Sequence, residues 1–483
     1  MSIEIIVQPT APSFVVGEGV TFRLTIRNSG STPVTVADPL LHEVDPVYTV
    51  TAPDGAVKQV RLLSARVPSP LIEPNAPPAE IAMEIPANSA WSEELVLDPM
   101  LLLTEPGSYL LQATVSERGT PVASAPASFT IEAARVTAFG AAFGPVKSAA
   151  SRLFVSWAHA GKTGARIVEE VRGERAWGDD RRGKLYSGAL ASQVRGPVEQ
   201  VAVAEPLFVR GMDFHGWVAW TEPGAISVLR TNAGKAEGGA QIVLKTTAPT
   251  SLIGPLAMNG SHDARLYAVE RGPGGAQLTR VDVPRDLSGQ AKVVSRTALP
   301  FAPESTVALH DEHARSVIVL AGTSDGTTSV VAVDDGAKPR VVEFGPLGPW
   351  VRGRPLGARR ISDGRIEVVC LTSDARHPHQ ARMFRAVLET EPLSVRSQSS
   401  ADVPGLDPAE IRWASVAALG GGEQILWRSA KGEIYTRGPA GAARRLADRF
   451  ADSPVPQLLS PEGDTFVAAV REGGTFGIER LAP

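Results

Sequence analysis

Several short groups of residues have the types and spacing that ligand chemistry asks for. His310-Asp311-Glu312-His313 sets two imidazoles and two carboxylates in a row, the donor types that hold a divalent metal. His377-Pro378-His379 places two imidazoles close enough to meet one ion, or leaves both solvated in a long loop. Its neighbours Arg376 and Arg382 disfavour a cation and suit an anion. Ala160-Gly161-Lys162-Thr163 ends like a phosphate-binding loop. The first glycine of such a loop would fall on Ser156, and no helical pattern follows, so the helix amides that hold phosphate are missing. Gly345-Pro346-Leu347-Gly348-Pro349-Trp350-Val351-Arg352-Gly353-Arg354 joins an indole to two guanidinium groups. Trp and Arg are enriched where binding energy concentrates.

Covalent chemistry has little to work with. Cys370 is the single cysteine and lies in the apolar run I-E-V-V-C-L, which predicts a buried strand residue and not an activated thiol. No intramolecular disulfide can form. No Ser appears in a G-x-S-x-G context. Tyr186, Tyr267 and Tyr435 all fall in strand patterns. The pattern favours binding over catalysis, with no catalytic, metal or cofactor residue expected.

The elements that position these groups are strands. A short pattern recurs seven times: S-R-L-F-V-S-W from Ser151, H-G-W-V-A-W from His215, A-R-L-Y-A-V from Ala264, A-R-S-V-I-V from Ala314, G-R-I-E-V-V from Gly364, E-Q-I-L-W-R from Glu423 and D-T-F-V-A-A from Asp464. Each follows a turn rich in Gly, Ser or Asp. A strand repeat at roughly 40–60 residues is the mark of a β-propeller. The third repeat parses as four strands, Pro255–Met258, Leu266–Glu270, Gln277–Val281 and Lys292–Arg296, from the innermost outward. The last repeat offers three, and 136–142 is a free strand that would supply the fourth and close the ring. Seven blades are expected over 135–483, with six as the alternative.

Alignment of the repeats recasts two of the candidate groups. His310–His313 falls in the turn where other copies carry Ser261-His262-Asp263, Ser362-Asp363-Gly364 and Ser460-Pro461-Glu462-Gly463, and polar residues there serve a tight turn. Arg152, Arg265, Arg315 and Arg365 share one repeat position, which points to pairing within the repeat unit. Loops entering each blade share a face with those joining its second and third strands. That face carries Trp350, Arg352, Arg354, His377, His379 and Phe301, the expected partner-binding residues. Trp350 has an equal alternative as a cap on a blade core.

Residues 1–134 read differently. In V-T-F-R-L-T-I-R-N, Phe22, Leu24 and Ile26 face one side while Arg23, Thr25 and Arg27 face the other. About eight such strands suggest a two-sheet sandwich, with 68–78 as a surface excursion. The stretch F-V-V-G-E-G-V-T-F-R-L-T-I-R-N-S-G-S-T-P-V-T-V resembles bacterial immunoglobulin-like domains, as does G-S-Y-L-L-Q-A-T-V. The Cys and Trp pattern of antibody domains is absent. S-P-E-G-D-T-F-V-A-A-V-R-E-G-G-T-F-G-I-E-R-L resembles the repeat of TolB/WD40-like propellers, which implies the fold and no particular activity. Among propeller enzymes the sialidases carry the box S-x-D-x-G-x-T-W, and S-P-E-G-D-T-F is one residue short of it.

Bulk properties narrow the partners. The 483 residues carry a formal net charge of -4, so no basic field draws the chain to nucleic acid. No stretch reaches the roughly 18 apolar residues of a membrane span. The opening M-S-I-E-I-I-V-Q-P-T lacks the regions of a signal peptide, which predicts a cytoplasmic protein or one exported without that signal. The all-β chain is therefore expected to be a scaffold within a bacterial assembly, binding a protein through propeller loops. The alternative is a channel that binds or acts on a glycan or other anion; a small-ligand or sugar-binding module would instead place an aromatic-lined pocket around Trp350 or Trp413.

Overall fold

A strand turns successive side chains to opposite faces, so a run apolar at every position is stable where both faces are covered. The run over 316–321 meets that condition. Val317, Val319 and Ala321 pack with Ile366, Val368 and Cys370, while Ile318 and Leu320 between them pack with Tyr267 and Val269. That run is thus a strand held between two neighbouring sheets.

The computed structural model describes residues 3–481, apart from 16–19, 38–46, 61–81, 98–102, 104, 118–119, 134, 144–151, 162–163, 174–183, 195–196, 205–206, 209–213, 233–234, 237, 247–249, 258–262, 286–288, 311–315, 337, 440, 447–455, 460–464 and 471–475. Among the described residues there is no α-helix, and no helix is long and apolar enough to cross a membrane. The protein is all-β.

The N-terminal part is a two-sheet sandwich. Ile3–Pro9, Thr21–Asn28 and Ser89–Val96 form one sheet; the other is built on Ser13–Val15, Ala127–Glu132, Gly107–Glu117, Val34–Ala37 and Ala82–Ile85. Phe22, Leu24 and Ile26 are buried and Arg23 and Arg27 exposed, in the expected alternation. Their core holds Tyr48, Leu111, Val115 and Phe129. Asn28 is fully buried because its amide is satisfied: Nδ2 donates to the carbonyls of Ile85 and Pro86 at 3.1 Å. Tyr109, at the start of a long strand, donates its hydroxyl to the Glu105 carbonyl at 2.8 Å.

Seven sheets follow among the described residues. Sheet I is Arg135–Phe143, Arg152–Gly161, Gly164–Gly173 and Lys184–Val194; sheet II centres on Val201–Val203, Phe214–Glu222 and Ala225–Asn232. Sheet III is Thr250–Ala257, Ala264–Gly272, Gly275–Val283 and Lys292–Leu299. Sheet IV is Ala302–His310, Ser316–Ser324, Thr327–Asp334 and Val341–Phe344. Sheet V is Leu356–Ser362, Arg365–Ser373, Ala381–Thr390 and Leu393–Asp402. Sheet VI is Ile411–Leu419, Gly422–Ser429, Ile434–Arg437 and Arg444–Arg445, with Gly353–Arg354 added. Sheet VII is Gln457–Leu459, Thr465–Val470 and Phe476–Leu481. The first strands of successive sheets touch in turn, and that of sheet I also touches that of sheet VII. Apolar clusters fill the gaps between consecutive sheets from I to VII.

One expectation is corrected. The strand over 136–142 does not complete sheet VII; it lies within Arg135–Phe143, paired antiparallel with Arg152–Gly161 as the first strand of sheet I. Its small buried residues explain the placement. A Cβ on Gly140 would fall 2.6 Å from the Val201 carbonyl oxygen, a backbone approach found where first strands crowd together. An outermost strand such as Leu393–Asp402 is instead exposed at nearly every position.

Candidate functional site

The segment from Gly345 to Pro355 leaves sheet IV and takes a detour before entering sheet V. Leu347 N donates to the Thr328 carbonyl at 3.0 Å, which ties the segment to sheet IV. Ser373 N donates to the Pro349 carbonyl at 3.0 Å, and Trp350 bridges Thr372, both in sheet V. Ala414 N donates to the Arg352 carbonyl at 2.9 Å, and Gly353 and Arg354 pair in parallel with Ala414 and Ser415 of sheet VI. Leu371 N then accepts the returning chain by donating to the Pro355 carbonyl at 2.8 Å. This strap crosses the same end of three sheets and adds two residues to the axial edge of the third.

Gly353 makes that edge pairing possible. Its φ is +115°, and a Cβ there would lie 2.3 Å from the Ala414 carbonyl oxygen and 2.7 Å from Trp413 Cδ1. A side chain fits neither the backbone conformation nor the space. Arg352 and Arg354 on either side are both exposed, as is Arg412. Protein nevertheless surrounds the Arg354 guanidinium closely enough that desolvation lowers its pKa from the ordinary value.

Alternation assigns the faces. Ala414, Val416 and Ala418 pack toward sheet V, and Trp413 packs with Leu426, Val467 and Leu481 toward sheet VII. Trp413 and Ser415 are two apart and share a face. Arg354 is in register with Ser415, and the residue before it, Gly353, stands against Trp413 Cδ1.

The other expected residues divide. Trp350 is half-buried against the core between sheets IV and V, so the capping alternative describes its packing. Phe301 is a correction: it is 7% exposed, packed with Leu299, Ile318 and Leu320 between sheets III and IV, and offers no ring to a partner. A Pro before it and a strand after it read as a loop tip, while the burial comes from sheets III and IV closing on either side of it.

His377 and His379 lie on the loop between Arg365–Ser373 and Ala381–Thr390, at the strap's end of the sheets, with side chains 70% and 75% exposed. They face different carboxylates: His379 Nδ1 lies 3.0 Å from Asp407 and His377 Nδ1 lies 3.6 Å from Asp374. Among the described residues no three His, Cys, Asp or Glu side chains are grouped to hold a metal. Asp374 accepts from the amides of Arg376 at 2.7 Å and His377 at 3.1 Å. Those bonds, with Arg382 nearby, hold its pKa below the ordinary carboxylate value.

Of the repeated arginines, Arg365 pairs with Glu389 of its own sheet at 3.0 Å. Arg265 is buried against Asp335 of the next sheet, to which the Tyr267 hydroxyl also donates at 3.1 Å. Arg315, the 311–313 part of the histidine cluster, Lys162, Thr163 and the 68–78 excursion lie outside the described residues, as do the side chains of Arg152 and His310. Sequence reasoning did not foresee Trp413 beside Arg354; the pairing spans some 60 positions, and no local pattern signals it.

No family model matches the chain, and no curated protein matches it. Among solved structures it is similar to the polysaccharide lyase Uly1, at 10% identity and a TM-score of 0.41, over 71% of this chain and 90% of that one. It is similar to the six-bladed propeller lectin of Aleuria aurantia at 12% identity and a TM-score of 0.38, over 65% and 95%. It is also similar to the NanB sialidase of Streptococcus pneumoniae at 10% identity and a TM-score of 0.32, over 89% of each chain. At such identities no site residue carries over.

Proposed function

We propose that this chain is a non-enzymatic recognition protein: an immunoglobulin-like sandwich joined to a seven-bladed propeller that binds an anionic ligand at its strap. The Tyr109 to Glu105 hydrogen bond, a hydroxyl reaching back along its own chain from a strand start, supports the immunoglobulin-like reading. Contact between the first strands of sheets I and VII supports a ring of seven. The observation that carries the function is the strap itself. Five backbone hydrogen bonds to three sheets fix it, and it delivers Arg352 and Arg354 to the inner edge of sheet VI. A guanidinium, whose planar fork can meet two oxygens at once, favours carboxylate and related anions.

Calorimetric titration with sulfate, citrate, a hexuronate and poly-glutamate tests this. Binding of at least one carboxylate, weakened by salt and abolished in the Arg352→Ala/Arg354→Ala double variant, is expected. Equal binding by the double variant, or none by the parent to any of the four, would overturn it. A protein partner is the second reading. It is favoured by the solvent-facing His377 and His379 on the adjoining loop, and would show as a complex lost when both are changed to Ala.

A further inference from the structure

We infer that the ligand of the strap is an acidic saccharide, its carboxylate held by Arg354 and the C–H face of its ring laid against Trp413. This rests on the anion-binding reading above and adds the ligand class. The register Arg354↔Ser415 sets Arg354 two positions along the shared edge from Trp413, and the strap backbone at Gly353 abuts the indole edge. Trp413 is half-buried: one side packs with the core between sheets VI and VII, which fixes the ring, and the remainder stays open. An aromatic surface set against the core beside a cation suits a ligand that is apolar on one side and charged at its rim.

Other anions fit less well. An acidic peptide would use the arginines and leave the indole idle. A nucleotide needs a full aromatic face for its base and a nest of amides or a helix end for its phosphates; the indole shows part of a face, and the described residues hold no α-helix. A pyranose offers a small C–H face, and a uronic acid sets its carboxylate at the ring's edge, matching the adjacency of Trp413 and Arg354. Arg352 and Arg412, both exposed, extend the positive rim toward further residues of such a chain.

The test uses the full chain and calorimetry with four probes: a uronic-acid trisaccharide, its neutral counterpart, a poly-glutamate peptide and adenosine monophosphate. The trisaccharide alone is expected to bind tightly. Arg354→Ala should weaken it at least about tenfold, the loss of a charge-assisted pair. Trp413→Leu should weaken it about tenfold while leaving the thermal midpoint near that of the parent; if that variant unfolds, Trp413→Phe serves, with partial loss expected. Poly-glutamate or the nucleotide binding as well as the trisaccharide, or loss at Arg354 with none at Trp413, would overturn the saccharide and leave the anion reading standing. Absence of binding by every anion would remove both.

Discussion

At the scale of the residue, burial separates what can bind from what can only support. Phe301 and Arg354 both come from Gly- and Pro-rich connections. Phe301 is enclosed between sheets III and IV, whereas Arg354 is exposed. Phe301→Ala should therefore cost about 3–5 kcal/mol of stability, as a large buried ring removed from a packed core does. Urea unfolding reads that loss, and ligand affinity measured under native conditions should not change. Cys370 was legible from its apolar run and is fully buried, with its thiol pushed up to about 12 by desolvation. The placement of Arg354 was not legible, because it depends on Gly353 pairing with Ala414, which lies beyond sheet V in the sequence.

At the scale of the element, the runs that are buried on both faces announced themselves. Two-sided burial leaves a continuous apolar string, and the strands parsed for the third repeat lie within Thr250–Ala257, Ala264–Gly272, Gly275–Val283 and Lys292–Leu299, apart from Met258, which lies outside the described residues. The strand over 136–142 was assigned to the wrong sheet since a strand's sequence shows that it pairs but not with which edge. The loop bearing His377 and His379 owes its shape to Asp374, whose carboxylate caps two amides. Its folded pKa lies below the unfolded value of about 3.9. The stabilisation is therefore whole above that value and is lost as pH falls through the folded one. The amide resonances of Arg376 and His377 should lose their hydrogen-bonded shift together as pH falls below about 4. Asp374→Asn should abolish that transition.

At the scale of the molecule, the sandwich has its own core, from Ile3 and Phe22 to Phe129 and Ile131. Residues 1–134 expressed alone should unfold in one cooperative transition with dispersed amide resonances, as a domain of that length does. A collapsed species without a transition would show that the boundary at 134 is misplaced. The seven described sheets behave differently, since the gaps from sheet I to sheet VII are filled from both sides.

The strap has one more consequence, for descent. In a tandem array, each unit can in principle be copied or lost as a continuous stretch of gene. Sheet VI breaks that modularity, because its axial edge is encoded before sheet V begins. Excising the stretch that encodes sheet V by a cut upstream of Gly353 would strip sheet VI of its arginine as well. Sheets V and VI are thus bound to be inherited together, and recombination that preserves binding must cross over outside 345–446.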